Sequence, residues 1–235
     1  MQLSEVMQEL ESLGNPQTVK IYRNHGADGP MFGVKVGDLK KILRKIRNQQ
    51  DLAMELWDTN NSDAMYLAAL VANGKQMTKT QLNHWAKTAW WYMLSEYSVP
   101  FVAAEHPDAA GLAKKWMRSR QASIASTGWS TYSLLMGVRP DDELEEEEIQ
   151  SLLKTAANKI HQAPNRVRYA MNGFVIAAGT YFQPVLPAAK AAASTIGKVH
   201  VDVGATACKV PLATATIEKV ESMGRIGKKR KTTKC

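Results

Sequence analysis

The spacing of apolar residues limits how this chain can fold more than any other feature. Along almost the whole length they recur at intervals of three and four, and turn-forming residues interrupt them roughly every fifteen to twenty positions. Such spacing lines apolar side chains along one stripe of a helix, so an array of short helices is expected. The pattern predicts helices over Ser4–Leu13, Pro16–Tyr22, Leu39–Arg47, Asp51–Trp57, Ser62–Val71, Thr78–Leu94, Val99–Ala104, Asp108–Met117, Ala122–Leu135, Glu143–Lys159, Asn165–Ala178, Pro184–Ile196 and Ala205–Val220. Asp38 is the expected N-cap of the helix that follows it. Two stretches break the pattern. Val34–Val36 reads as a loop, and Lys198–Val203 alternates like a strand but has no second strand to pair with, so it reads as an extended connector.

From Asp38 onward the helices come in pairs of about 35 to 45 residues, the period of HEAT and armadillo-like arrays. One pair cannot bury its own apolar face, whereas stacked pairs share a continuous core and leave one long concave surface suited to an extended partner. The expected architecture is all-α: a right-handed α-solenoid of HEAT-like (ARM-type) antiparallel helix pairs over residues 1–223, followed by a basic, flexible tail over 224–235. Periodicity alone also admits a compact helical bundle.

Charge narrows the partner. The chain of 235 residues carries a net charge of +8, yet six of those excess cations are Arg225, Lys228, Lys229, Arg230, Lys231 and Lys234, beyond the last acid. The body is therefore near neutral, and any basic surface on it must come from arrangement. No uncharged apolar stretch approaches the ~20 residues that cross a bilayer, and the first residues, with Glu5, Glu9 and Glu11, lack a secretory segment's basic start. A cytoplasmic monomer is expected. Cys208 and Cys235 are too few for a disulfide framework, and Cys235 is not fourth from the end, where prenylation would need it. The histidines show no metal spacing and Asn73–Gln76 is no phosphate loop, so neither a metal nor a nucleotide or other cofactor is expected.

The stretch Met31-Phe-Gly-Val-Lys-Val-Gly-Asp-Leu-Lys-Lys-Ile42, a glycine-aliphatic loop leading into a basic helix, resembles the opening motif of the DNA alkylation repair family, which includes alkylpurine DNA glycosylases. The likeness continues through Ala53–Trp57, Gly128–Ser133, Val167–Ile176 and Thr206–Pro211 to Lys228–Lys231, and so spans essentially the whole chain. The order and spacing of these pieces carry it. The resemblance implies a C-shaped stack of HEAT-like repeats holding double-stranded DNA in a basic concavity, and excision of purines alkylated at N3 or N7. Such a cationic base is already a good leaving group. The enzyme mainly stabilises the oxocarbenium-like sugar, with a carboxylate and aromatic faces in a partly dry site.

The resemblance also implies an aromatic residue and a catalytic aspartate after a serine near mid-chain, an arginine that grips a phosphate, and a further aromatic. The corresponding segment is Ser95–Phe101, where Glu96 stands at the aromatic position and Pro100 at the aspartate position. Ser123–Trp129 holds no arginine, and Asn172 or Gly173 takes the place of the last aromatic. Glu96, with Tyr97 beside it, is the remaining catalytic candidate; otherwise it is a solvated glutamate at a helix end. Candidate phosphate contacts are Lys35, Lys40, Lys41, Arg44, Arg118, Arg120, Arg166 and Arg168, together with Lys228, Lys229, Arg230 and Lys231 of the tail. Candidate stacking residues are Tyr66, Trp90 and Trp91. Basic side chains also simply solvate a helix face, and aromatics at helical spacing also pack cores. Three functions stay open: a DNA glycosylase with altered residues, a non-enzymatic binder of damaged or distorted duplex, and a scaffold that grips another polypeptide.

Overall fold

The computed structural model describes residues 1–234, among which there are thirteen α-helices and no β-strand. They are α1 (Leu3–Ser12), α2 (Pro16–Asn24), α3 (Val36–Lys45), α4 (Gln50–Asp58), α5 (Ser62–Val71), α6 (Lys79–Thr88), α7 (Val99–Ala103), α8 (Ala109–Met117), α9 (Ala122–Val138), α10 (Glu146–Lys159), α11 (Asn165–Tyr181), α12 (Leu186–Ile196) and α13 (Ala213–Ser222). From α4 onward they pack as pairs, α4 with α5, α6 with α7, α8 with α9, α10 with α11 and α12 with α13. The second helices, α5, α7, α9, α11 and α13, lie side by side as an inner layer. This is the expected α-solenoid.

Composition explains the two layers. Helix α5, SDAMYLAALV, is apolar almost all round, and every one of its ten residues is buried. Helix α10, EEEIQSLLKTAANK, buries only Ile149, Leu153 and Ala156, one stripe at four- and three-residue spacing, turns Glu146 and Glu147 to solvent and sets its three glutamates at the positive end of its own dipole. Small residues let the layers approach. A Cβ on Gly128 of α9 would stand 2.6 Å from both the Ala113 carbonyl oxygen and the Met117 amide nitrogen of α8, and neither backbone atom can rotate away. Gly128→Ala is accordingly expected to cost about 1–3 kcal/mol through overpacking, measured as a lower urea midpoint with an unchanged slope; no shift would show that α8 slides freely on α9.

Several boundaries differ from expectation. Helix α3 begins at Val36, with Lys35 at its N-cap; Asp38 sits in the first turn and pairs with Lys41 at 2.6 Å. The predicted helix Thr78–Leu94 breaks at Thr88. The chain must leave α6 there to bury Trp91, whose indole N–H donates to the Ser62 hydroxyl at 2.8 Å. Helix α13 starts at Ala213 rather than Ala205, because residues 205–212 belong to the connector: the Ala205 amide donates to the Asn24 carbonyl at 2.9 Å, far back at the end of α2. From the end of α2 the connector runs along the first half of α11. Asn165 exchanges two hydrogen bonds with the Asp202 backbone, and the Asn172 amide donates to the Pro211 carbonyl at 2.9 Å.

The basic segment that begins at Gly224, read as a tail, lies against the body through Lys234. It passes the last turns of the inner helices in succession, with the Gly227 amide on the Thr180 carbonyl at 2.9 Å and the Arg230 amide on the Gly137 carbonyl at 2.7 Å. Its end lies beside α5, where the Lys234 ammonium bonds the Ala72 carbonyl. Cys235, read as a site that carries no lipid, lies outside the described residues.

Candidate functional site

The inner layer opens a cleft of about 210 Å³ where its side chains shrink. Ser130 and Ser133 of α9 and Gly173 and Ala177 of α11 form its floor, and Tyr97, Tyr169, Tyr181 and Arg230 form its walls. Pro100 shapes one side. It has no amide to give the carbonyl four residues earlier, that of Glu96, so the helical run widens there into a π-turn over Leu94–Ser98. The Val99 amide closes that turn on the Leu94 carbonyl, and the Ser98 hydroxyl donates to the Met93 carbonyl at 3.2 Å. The turn carries Glu96 inward and leaves Tyr97 at the surface, 37% exposed.

Glu96 is 6% exposed. Arg166, from the first turn of α11, donates to both its oxygens, Nε to Oε1 at 2.8 Å and Nη2 to Oε2 at 2.5 Å. The guanidinium lies between two rings, 4.3 Å from the centre of Tyr92 and 4.4 Å from that of Tyr169. Burial pushes the Glu96 carboxyl up, and the bidentate arginine pulls it back. With both oxygens spent on a cation, this carboxylate offers an adjacent sugar little negative potential. Pro100, where the resemblance would place an aspartate, is buried and has no polar side chain. Asn172 is 1% exposed and holds the connector, and Gly173 leaves floor space where an aromatic ring would stand.

Of the residues singled out from the sequence, the structure gathers Glu96, Tyr97, Arg166 and Arg230 at this cleft. The reading of Glu96 as a solvated helix-end residue is corrected by its burial. Tyr66 and Trp91 cannot stack on a partner as they stand: they are 7% and 5% exposed, Tyr66 edge-on to Phe101 and Trp91 tied to Ser62. Trp90 is half-buried, stacks on Trp91 at 5.9 Å and covers Gly29, where a Cβ would meet its ring at 2.7 Å. Lys35, Lys40, Lys41 and Arg44 are exposed on α3, away from the cleft walls. Arg118 and Arg120 sit in the α8–α9 turn, with Arg118 on a separate groove beside Lys114 and Lys159. Arg168 is half-buried, and its Nε has no partner. Lys228, Arg230 and Lys231 are exposed, whereas Lys229 turns inward.

The sequence reading missed Tyr169 and Tyr181 as walls and Ser130 and Ser133 as floor. Arg166, Tyr169 and Gly173 stand three and four apart on one helix, a spacing that could have placed them on one face.

A stack of helix pairs with a cleft on its inner layer, lined by tyrosines and Arg230, places the protein among the HEAT-like helical-repeat proteins. The family model described as DNA alkylation repair enzyme matches residues 6–187, and the chain belongs to that family. Two relatives share 39% identity over 220 residues, covering 91% of this chain and 95% of theirs: uncharacterised proteins of Listeria innocua and Listeria monocytogenes. A solved structure with a TM-score of 0.92 and 38% identity, matched over 100% of both chains, is described as a new family of proteins related to the HEAT-like repeat DNA glycosylases with affinity for branched DNA structures.

Proposed function

We propose that this protein binds branched DNA without excising bases. The observation that carries the reading is the Glu96–Arg166 clamp: the carboxylate nearest the cleft is buried and neutralised, and proline stands at the position the resemblance gives to aspartate. A cleft so arranged can hold and stack on nucleic acid through Tyr97, Tyr169 and Arg230, but it has no free carboxylate to stabilise an oxocarbenium-like sugar. The affinity for branched DNA structures described for the solved relative supports branched DNA as the partner.

Two measurements test this. Incubated with DNA containing N7-methylguanine or N3-methyladenine, the protein is expected to yield no more abasic sites than a Glu96→Gln variant. In a gel-shift titration, a four-way junction is expected to bind at least about tenfold more tightly than a linear duplex of equal length, a difference of about 1.4 kcal/mol. Base release that depends on Glu96, or equal affinity for the two DNAs, would overturn the proposal.

A further inference from the structure

The basic segment divides into two sets of side chains with opposite orientation. Lys229 points inward, donating to the carbonyls of Met136 at 2.9 Å and Tyr181 at 2.8 Å and pairing with Asp141 at 2.7 Å. Lys234 also points inward, to the Ala72 carbonyl and Glu105. The buried Thr233 hydroxyl donates to Glu105 at 2.9 Å. The carbonyls of Ala72, Met136 and Tyr181 belong to the last turns of three inner helices, whose dipoles leave partial negative charge there. The segment is thus a strap fixed by attraction between its inward lysines and the negative ends of the inner layer.

Those anchors, with Arg139, neutralise most of the negative charge of this edge. Asp141 is taken by Lys229, Glu105 by Lys234 and Thr233, and Glu143 by Arg139 at 2.8 Å, so Asp142 is the acid of that turn left free among the described residues. The outward side chains have no such compensation. Lys228, Arg230 and Lys231 of the strap, with Lys75 and Arg47 beyond its end, engage in no side-chain hydrogen bond or ion pair among the described residues. They are also contiguous. Arg230 stands on the wall of the cleft, Lys231 and Lys75 line one groove, and Lys75, Arg47 and Lys234 line the next. A run of unpaired cations that leaves the cleft along one edge suits a phosphodiester backbone, which such residues bind by releasing its counterions.

Resting on the function proposed above, we infer that this edge is a second DNA surface, a backbone track from Arg230 through Lys231 to Lys75 and Arg47, on which one arm of a branched DNA lies while the branch occupies the cleft. The strap holds the track rigid. Lys229 serves as an anchor and makes no phosphate contact. Cations contributed by segments far apart in sequence act as one surface because the strap brings them together.

The test is a fluorescence-anisotropy titration of the full chain with a labelled four-way junction and with a linear duplex, each at several salt concentrations. One variant combines Lys228→Ala and Lys231→Ala and leaves Arg230 of the cleft in place; a second combines Arg47→Ala and Lys75→Ala. All these side chains are surface-exposed, and thermal melting checks that both variants stay folded. Each variant is expected to lose about tenfold or more in junction affinity, to lose less on the duplex, and to flatten the dependence of log K on log salt by about 0.9 per phosphate contact removed. Wild-type preference for the junction with no change in either variant would overturn the track. Equal losses on both DNAs would overturn the second arm and leave a general polyanion surface. A wild type without junction preference would instead sink the function proposed above, and the second arm with it.

Discussion

Replacing Glu96 with alanine is expected to lower the stability of this protein by about 3–5 kcal/mol, the cost of removing one partner from a buried ion pair. The carboxylate is 3% and the guanidinium 24% exposed by side chain, so water reaches the pair poorly. After the substitution Arg166 would keep its charge between the Tyr92 and Tyr169 rings, which offset only part of the loss, because a cation–π contact contributes ~0.5–2 kcal/mol against the full cost of an uncompensated charge. In a chain of this size each kcal/mol moves the melting temperature by roughly 2–4 °C, so a fall of roughly 6–20 °C is expected. Calorimetry of the two proteins measures it. A solvated glutamate would change stability by no more than about 0.5 kcal/mol, so a shift of a degree or two would return Glu96 to the surface and reopen its candidacy as a free catalytic carboxylate.

A loss of similar size is expected for Asp63→Ala, at the other end of the inner layer. Asp63 is 3% exposed, and its carboxylate accepts the amides of Phe32 at 2.7 Å, Gly33 at 2.9 Å and Val34 at 2.9 Å. Burial pushes this carboxyl up, and the three amides pull it back. Alanine would leave three amides with no acceptor, at about 1–3 kcal/mol for each one that water cannot reach; about 3–6 kcal/mol in total is expected, since the Phe32 site is only partly buried. The damage should be local before it is global. The loop that Asp63 holds carries Gly29 under the Trp90 ring and Pro30, whose carbonyl accepts the Ser62 amide at 2.9 Å. Hydrogen exchange is therefore expected to accelerate first at residues 32–34. Unchanged protection there would mean that the carboxylate contributes nothing to loop order.

Much of the architecture was legible because helix pairing is written in local periodicity. The stripe Ile149, Leu153, Ala156 and the all-apolar run of α5 each state which layer a helix must occupy, whatever its neighbours do. The family likeness added the order of the repeats and marked Pro100 as a departure. The failures are also physical. Periodicity continues through Thr88–Leu94, yet the helix stops, because burying Trp91 on Ser62 outweighs the local preference to continue. Likewise the helix expected from Ala205 starts only at Ala213: Pro211 cannot stand inside a helix, and the Ala205 amide finds a carbonyl on α2, a contact no local pattern encodes.

The sequence by itself therefore determined that the chain forms an array of amphipathic helices, that most of its excess charge lies after Glu221, and that no aspartate occupies the position of Pro100. Tertiary structure decided which charges remain available. Glu96 and Arg166 are seventy positions apart and cancel each other; Lys229 and Lys234 spend their charge on helix ends and acids of the body, while their neighbours Lys228, Arg230 and Lys231 keep theirs. A charge is a property of one residue, but its availability depends on what lies within a few ångströms, and that distance is set by the stacking of the repeats.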